Sequence, residues 1–91
     1  MTRRGKIARL PKEIREQLNQ QLDDGKQGKD LVSWLNSIPE VQSVIGRLFR
    51  GKAINKHNLS QWRKGGYREW QAKQEWLEVK KQLLNRQMSG V

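Results

Sequence analysis

A small all-α bundle of about five helices is the fold this sequence predicts, and three observations predict it. Apolar residues recur at helical spacing in five separate stretches, each bounded by proline, glycine or a capping side chain. No run alternates apolar and polar residues between turn signals, and β-branched residues are few, so no strand is expected. The 91 residues are 34% hydrophobic with a mean hydropathy of -0.98. That composition supports one modest core and not two.

Residues 1–10 hold Arg3, Arg4, Lys6 and Arg9 with no acid and only scattered apolar side chains. They read as a flexible basic arm, which could enter a minor groove or follow phosphates, or could serve solubility alone. A single helical domain is expected over 11–88, and residues 89–91 as a disordered tail. Pro11 suits the first position of helix one, where its missing N–H costs nothing. Glu13 and Glu16 sit near the positive end of its dipole, and Ile14, Leu18 and Leu22 form its buried stripe. Gly25 should end it, although Asp23 and Asp24 oppose the dipole there. That conflict predicts early fraying or cationic partners such as Lys26 and Lys29.

Helix two is expected from about Gly28 to Asn36, where Leu31, Val32, Trp34 and Leu35 make it largely buried. Trp34 is assigned to the core rather than to a ligand stack. Pro39 opens helix three, with Ser37 or Ile38 at its cap, and Gly51 closes it after Arg50. Val41, Val44, Ile45, Leu48 and Phe49 are its inward stripe, while Gly46 marks either a close helix contact or a local weakening. Helix five runs from Tyr67 to about Met88. Trp70, Leu77 and Leu84 lie seven apart, and Trp76, Leu83 and Met88 widen the stripe into core packing or a dimer interface. The expected core is Ile14, Leu18, Leu22, Leu31, Leu35, Val44, Ile45, Leu48, Leu59, Trp62 and Trp70.

Helix four lies in INKHNLSQWRKGGY, residues 54–67. Asn55 is a suitable N-cap, Leu59 and Trp62 share an inner face, and Gly65 with Gly66 ends the helix. Outward remain Lys56, His57, Asn58, Ser60, Gln61, Arg63 and Lys64, with no carboxylate among them. A helix in a DNA major groove needs such side chains, Gln, Asn and Arg for base edges and Lys and Arg for phosphates. An ordinary solvated face usually mixes both signs.

Charge distribution points the same way. The formal net charge is +10 and the sequence pI about 10.6, which favours a polyanionic partner. The excess is localised: residues 1–10 carry four cations and residues 47–68 carry seven, both stretches without an acid. Enzyme chemistry finds no support. There is no cysteine, His57 is the single histidine, and no glycine-rich loop has P-loop spacing. No catalytic residue, metal site or cofactor is therefore expected. No apolar run approaches a membrane span or the core of a signal peptide, so a soluble intracellular chain is expected.

The segments LPKEIREQLNQQLDDG, GKDLVSWLNS and INKHNLSQWRKGGY together resemble the N-terminal helix-turn-helix region of Mu-like phage small terminase subunits and related prophage DNA-binding proteins. The likeness covers most of residues 10–67 and implies that helix four is the reading helix. It also implies a phage or prophage role, regulatory or in packaging, in the cytoplasm near the nucleoid. Two departures stand out: helix three intervenes before the reading helix, and little chain remains for an oligomerisation region. On both lines of reasoning the expected partner is double-stranded DNA. Lys56, His57, Ser60, Gln61, Arg63 and Lys64 would meet the groove, and Arg3, Arg4, Lys6, Arg9, Arg47, Arg50, Lys52 and Arg68 would hold phosphates. RNA is less favoured, because one Tyr and one Phe offer few stacking platforms. The competing expectation is a protein-interaction module that associates, as a homo-oligomer or otherwise, through the Trp-rich last helix.

Overall fold

The computed structural model describes residues 5–89, with side chains described up to residue 84, and the described chain is entirely helical and irregular. A 3-10 turn over Ile7–Arg9 precedes five α-helices: α1 (Lys12–Asp23), α2 (Gly28–Ser37), α3 (Pro39–Leu48), α4 (Lys56–Lys64) and α5 (Gly66–Ser89). Helix α2 packs on α3 and α4, and α4 also packs on the 3-10 turn and on the start of α5. The shortest α-helix is thus the hub of the bundle. The longest leaves it, and the molecule measures 59 × 27 × 22 Å.

Local chemistry sets each boundary. Pro11 stands at the cap of α1 rather than in its first turn, and its carbonyl accepts from the N–H of Ile14 and of Arg15. Gly25, at φ +84°, closes α1 in a Schellman turn: Lys26 N–H reaches Gln21 O and Gly25 N–H reaches Leu22 O. A left-handed residue is needed there, and glycine supplies it without steric cost. The two acids of this end need no lysine. Asp24 accepts from Gln20 Nε2 at 3.3 Å, and Asp23 adjoins the Tyr67 phenol. Ser37 turns its hydroxyl back to Trp34 O, so Ile38 alone separates α2 from Pro39 at the first turn of α3.

The core comprises Ile7, Leu10, Ile14, Leu18, Leu31, Leu35, Val41, Val44, Ile45, Ile54, Leu59 and Trp62. It corrects the expected one in three places. Leu48 is 55% exposed, because α3 ends there and Phe49, out of helical geometry, packs on the core instead. Leu22 is half-buried at the edge of the core, and Trp70, half-buried too, sits beside Tyr67 at the start of α5. The arm expected over 1–10 is cut short, since Ile7 and Leu10 are buried, and Lys6 Nζ donates to Ala53 O at 3.1 Å. Ile7 on the 3-10 turn and Leu10 just after it are buried, and the turn packs against α4. Gly46 meets nothing within 4 Å and marks no helix contact. Ser89, expected in the tail, is the last residue of α5, and residues 1–4, 90 and 91 lie outside the described chain.

Candidate nucleic-acid interface

Helix α4 is held at both ends and along its inner side. At its start Asn55 and Asn58 form a capping box: Asn58 N–H donates to Asn55 Oδ1 at 2.9 Å, and Asn55 N–H donates to Asn58 Oδ1 at 3.0 Å. Asn58, half-buried, is thereby committed to the cap rather than to the outer face. Just before it, Asn36 of α2 clamps the backbone of Ile54 as a neighbouring strand would. Its Nδ2 donates to Ile54 O and its Oδ1 accepts from Ile54 N–H, both at 2.9 Å. Ile54 is buried below this clamp, so the approach to α4 is fixed by a hydrogen-bonded pair and an apolar anchor together.

On the inner side Leu59 and Trp62 enter the core. The Trp62 indole N–H donates to Asn19 Oδ1 at 2.7 Å, a pair of buried polar groups that satisfy each other and tie α4 to α1. The turn into α5 is equally tight. Gly65 caps α4, and Gly66 lies so close beneath the Trp62 ring that a Cβ there would overlap it. The glycine pair expected to stop the helix therefore does two jobs, one ending α4 and one making room for its tryptophan.

Lys56, His57, Ser60, Gln61, Arg63 and Lys64 are all exposed, so the six expected groove residues share one solvent face. No carboxylate lies on α4 itself. Two shallow grooves flank the helix. In one, Lys56, Ser60 and Arg63 face Gln27, Gly28 and Lys29 at the start of α2 across a floor that includes Leu59. In the other, Asn58, Gln61 and Lys64 face Gly5, Ile7 and Ala8 across Trp62. Arg63 also lies near the Tyr67 phenol, which Asp23 of α1 adjoins. Burial first, and then the Asp23 carboxylate, push the Tyr67 phenol above its ordinary value, while nearby Arg63 pulls it down.

The expected phosphate residues are more dispersed. Lys52, exposed, lies in the loop leading to α4, and Arg68, exposed, lies in the first turn of α5. Arg50 stands after α3 in a left-handed conformation at φ 55°. Lys6 is a correction: its ammonium is tied to Ala53 O and sits 5.9 Å from the Phe49 ring centroid, so it serves the fold. Arg47 projects from the last turn of α3, a helix packed mainly on α2, and Arg9 is exposed on the 3-10 turn. Arg3 and Arg4 lie outside the described residues. Sequence reasoning missed Lys29 and Gln27, which only the packing of α2 on α4 brings to this face, and the positioning residues Asn19 and Asn36. Nothing near any of them in sequence marks them out.

Fold and surface define a small helical bundle that presents one basic, carboxylate-free helix to solvent. Compared with protein-family models, with curated proteins and with solved structures, the chain matches none. Among the described residues no helix is long and apolar enough to cross a membrane.

Proposed function

We propose that this protein binds double-stranded DNA and lays the outer face of α4 in the major groove. One observation carries the reading: six exposed polar and cationic side chains share a face of a helix whose opposite face and both ends are locked to the bundle. Among the described residues Lys56, His57, Ser60, Gln61 and Lys64 make no hydrogen bond or ion pair, so their donors and acceptors stay available to a ligand. Gln61 and Arg63 suit base edges, being able to make two hydrogen bonds to adenine and guanine respectively. Lys56, Lys64 and Lys29 suit phosphates on either side, with Arg50, Lys52 and Arg68 at the two ends of the helix.

The unit differs from an ordinary helix-turn-helix in its connection. Residues 49–55, a loop of seven, join α3 to α4 where three or four are usual. Within this reading the Asn36 clamp takes over the rigidity that a short turn would provide. We extend the proposal to phage or prophage DNA, in regulation or packaging, solely on the sequence resemblance of residues 10–67 to Mu-like small terminase subunits and prophage proteins.

Selection of bound duplexes from a random pool, followed by a salt titration on those recovered, tests the proposal. An enriched motif whose affinity falls with salt is expected. On that motif Arg63→Ala should cost about 1 to 3 kcal/mol and relax preference at one base pair, whereas Lys52→Ala should weaken all duplexes alike. Equal losses for both variants on every sequence would refute base reading, and an absence of binding at low salt would refute DNA binding altogether.

A further inference from the structure

Helix α5 carries a surface that neither the bundle nor the proposed DNA face uses. Its first turns are anchored: Tyr67 stacks on Trp70 with ring centroids 6.0 Å apart, and Gln71 Nε2 donates to the Tyr67 hydroxyl. Trp70, Gln71, Gln74 and Glu75 line a shallow cleft with Gln20 and Asp23 of α1, so this side of α5 is turned to the bundle. From residue 72 to 84 every side chain is exposed. Trp76 at 59%, Val79 at 54% and Leu83 at 53% lie on the side turned away from α1, while the exposed Leu77 and Leu84 point about a third of a turn further round the helix.

An apolar stripe of this length is unusual on a monomer. A helix of this reach also gains most of its stability from packing, which its distal half lacks here. The spacing says what kind of surface would cover it. Ala72, Trp76, Val79 and Leu83 follow one another at intervals of four, three and four, the alternation of a two-helix seam. The charges say which helix. Residues 66–84 hold Arg68, Lys73, Lys80 and Lys81 against Glu69, Glu75 and Glu78, close to balance in a chain that is otherwise strongly basic. Glu75 borders the seam on one side and Lys80 on the other. When two such helices lie parallel and in register, opposite edges meet, and Glu75 of each copy comes opposite the lysine five positions on in the other. Lys80 already lies along this surface, its Nζ 5.0 Å from the centroid of the Trp76 ring, so its ammonium is held beside the seam.

We infer that the chain forms a parallel dimer through the distal half of α5, with Trp76, Val79 and Leu83 of two copies packed together and Glu75 paired with Lys80 across the seam. This does not rest on the DNA reading and is measured without nucleic acid. Sedimentation equilibrium of the full chain over about two decades of concentration should give the mass of two copies. Leu83→Asp should raise the dissociation constant at least about tenfold, while the thermal unfolding of wild type and variant, compared at concentrations where both are monomeric, is unchanged, since Leu83 lies outside the core. Glu75→Lys alone should weaken the dimer, and Glu75→Lys combined with Lys80→Glu should restore it. Because the chain has no cysteine, Trp76→Cys and Leu83→Cys can be introduced singly, and each should cross-link to its own counterpart. A wild-type monomer throughout would overturn the inference, including the case in which the stripe takes a different protein. Cross-linking at only one of the two positions, or no recovery in the double charge exchange, would overturn the parallel register.

Discussion

Helices α4 and α5 meet at Gly65 and Gly66 and are opposites in how they use their apolar residues. Helix α4 has two, Leu59 and Trp62, and buries both. Helix α5 has many and leaves Trp76, Leu77, Val79, Leu83 and Leu84 in solvent. The short helix is stable because α1, α2 and the 3-10 turn surround it, which frees its outer face for side chains that contribute nothing to folding. The long helix is anchored at its base by Tyr67 and Trp70 and offers its distal apolar side outward. Burial fraction, rather than hydrophobicity, separates a structural helix from one that presents a surface.

Two tryptophans make that contrast measurable. Trp62→Ala removes a buried ring and leaves Asn19 without its partner, and it should cost about 3 to 5 kcal/mol in urea unfolding. Trp76→Ala, compared with the wild type at concentrations where both are monomeric, should change the unfolding of the bundle by no more than about 0.5 kcal/mol, since the ring is mostly exposed on the single chain. Similar losses at the two positions would remove the distinction between the helices. An effect smaller than that of Trp62→Ala is expected at Asn36, whose two hydrogen bonds to Ile54 hold the entry to α4. Asn36→Ala should cost about 2 kcal/mol. Asn55→Ala, losing only the cap, should cost about 1 kcal/mol. Amide exchange in α4 would rank these two independently, with faster exchange of the first turn expected in both.

The smallest effect concerns the joint between the two helices. The folded-state value of Tyr67 is raised, chiefly by burial and then by Asp23. A raised value favours the neutral phenol in the native state. Its contribution is therefore fully present below the ordinary tyrosine value near 10 and is lost as pH climbs through the higher folded value. Tyr67→Phe should flatten the alkaline part of the stability profile and leave the profile at neutral pH nearly level. An unchanged alkaline slope would show that the phenol does not couple to folding.

Much of the fold was legible because its signals are local. The stripe Ile14, Leu18, Leu22, the prolines at 11 and 39, the Gly25 stop and the Asn55 cap each work within one or two turns, and the helices lie close to where these residues put them. Leu48 misled because it continues a helical stripe past the point where α3 has anything to pack against. Ile7 and Leu10 were illegible for the converse reason. A three-residue turn has no periodicity to detect, and its order comes from α4, some fifty residues away. The candidate face was legible as far as it is one helix. Lys29 joins it through packing of α2, and Lys6 leaves it through a bond to the carbonyl of Ala53, neither of which any local pattern encodes.

By itself the sequence determined the helical class, the helix ends and the concentration of positive charge in the stretch that contains α4, because dihedral preferences, capping groups and formal charge are properties of neighbouring residues. Tertiary structure alone decided which apolar residues are core and which are surface, which polar residues hold α4 in place, and which cations stand around it. Those outcomes depend on surface removed from water and on hydrogen bonds across 18 residues at Asn36 and 43 at Asn19, and such pairings exist only once the chain has closed on itself.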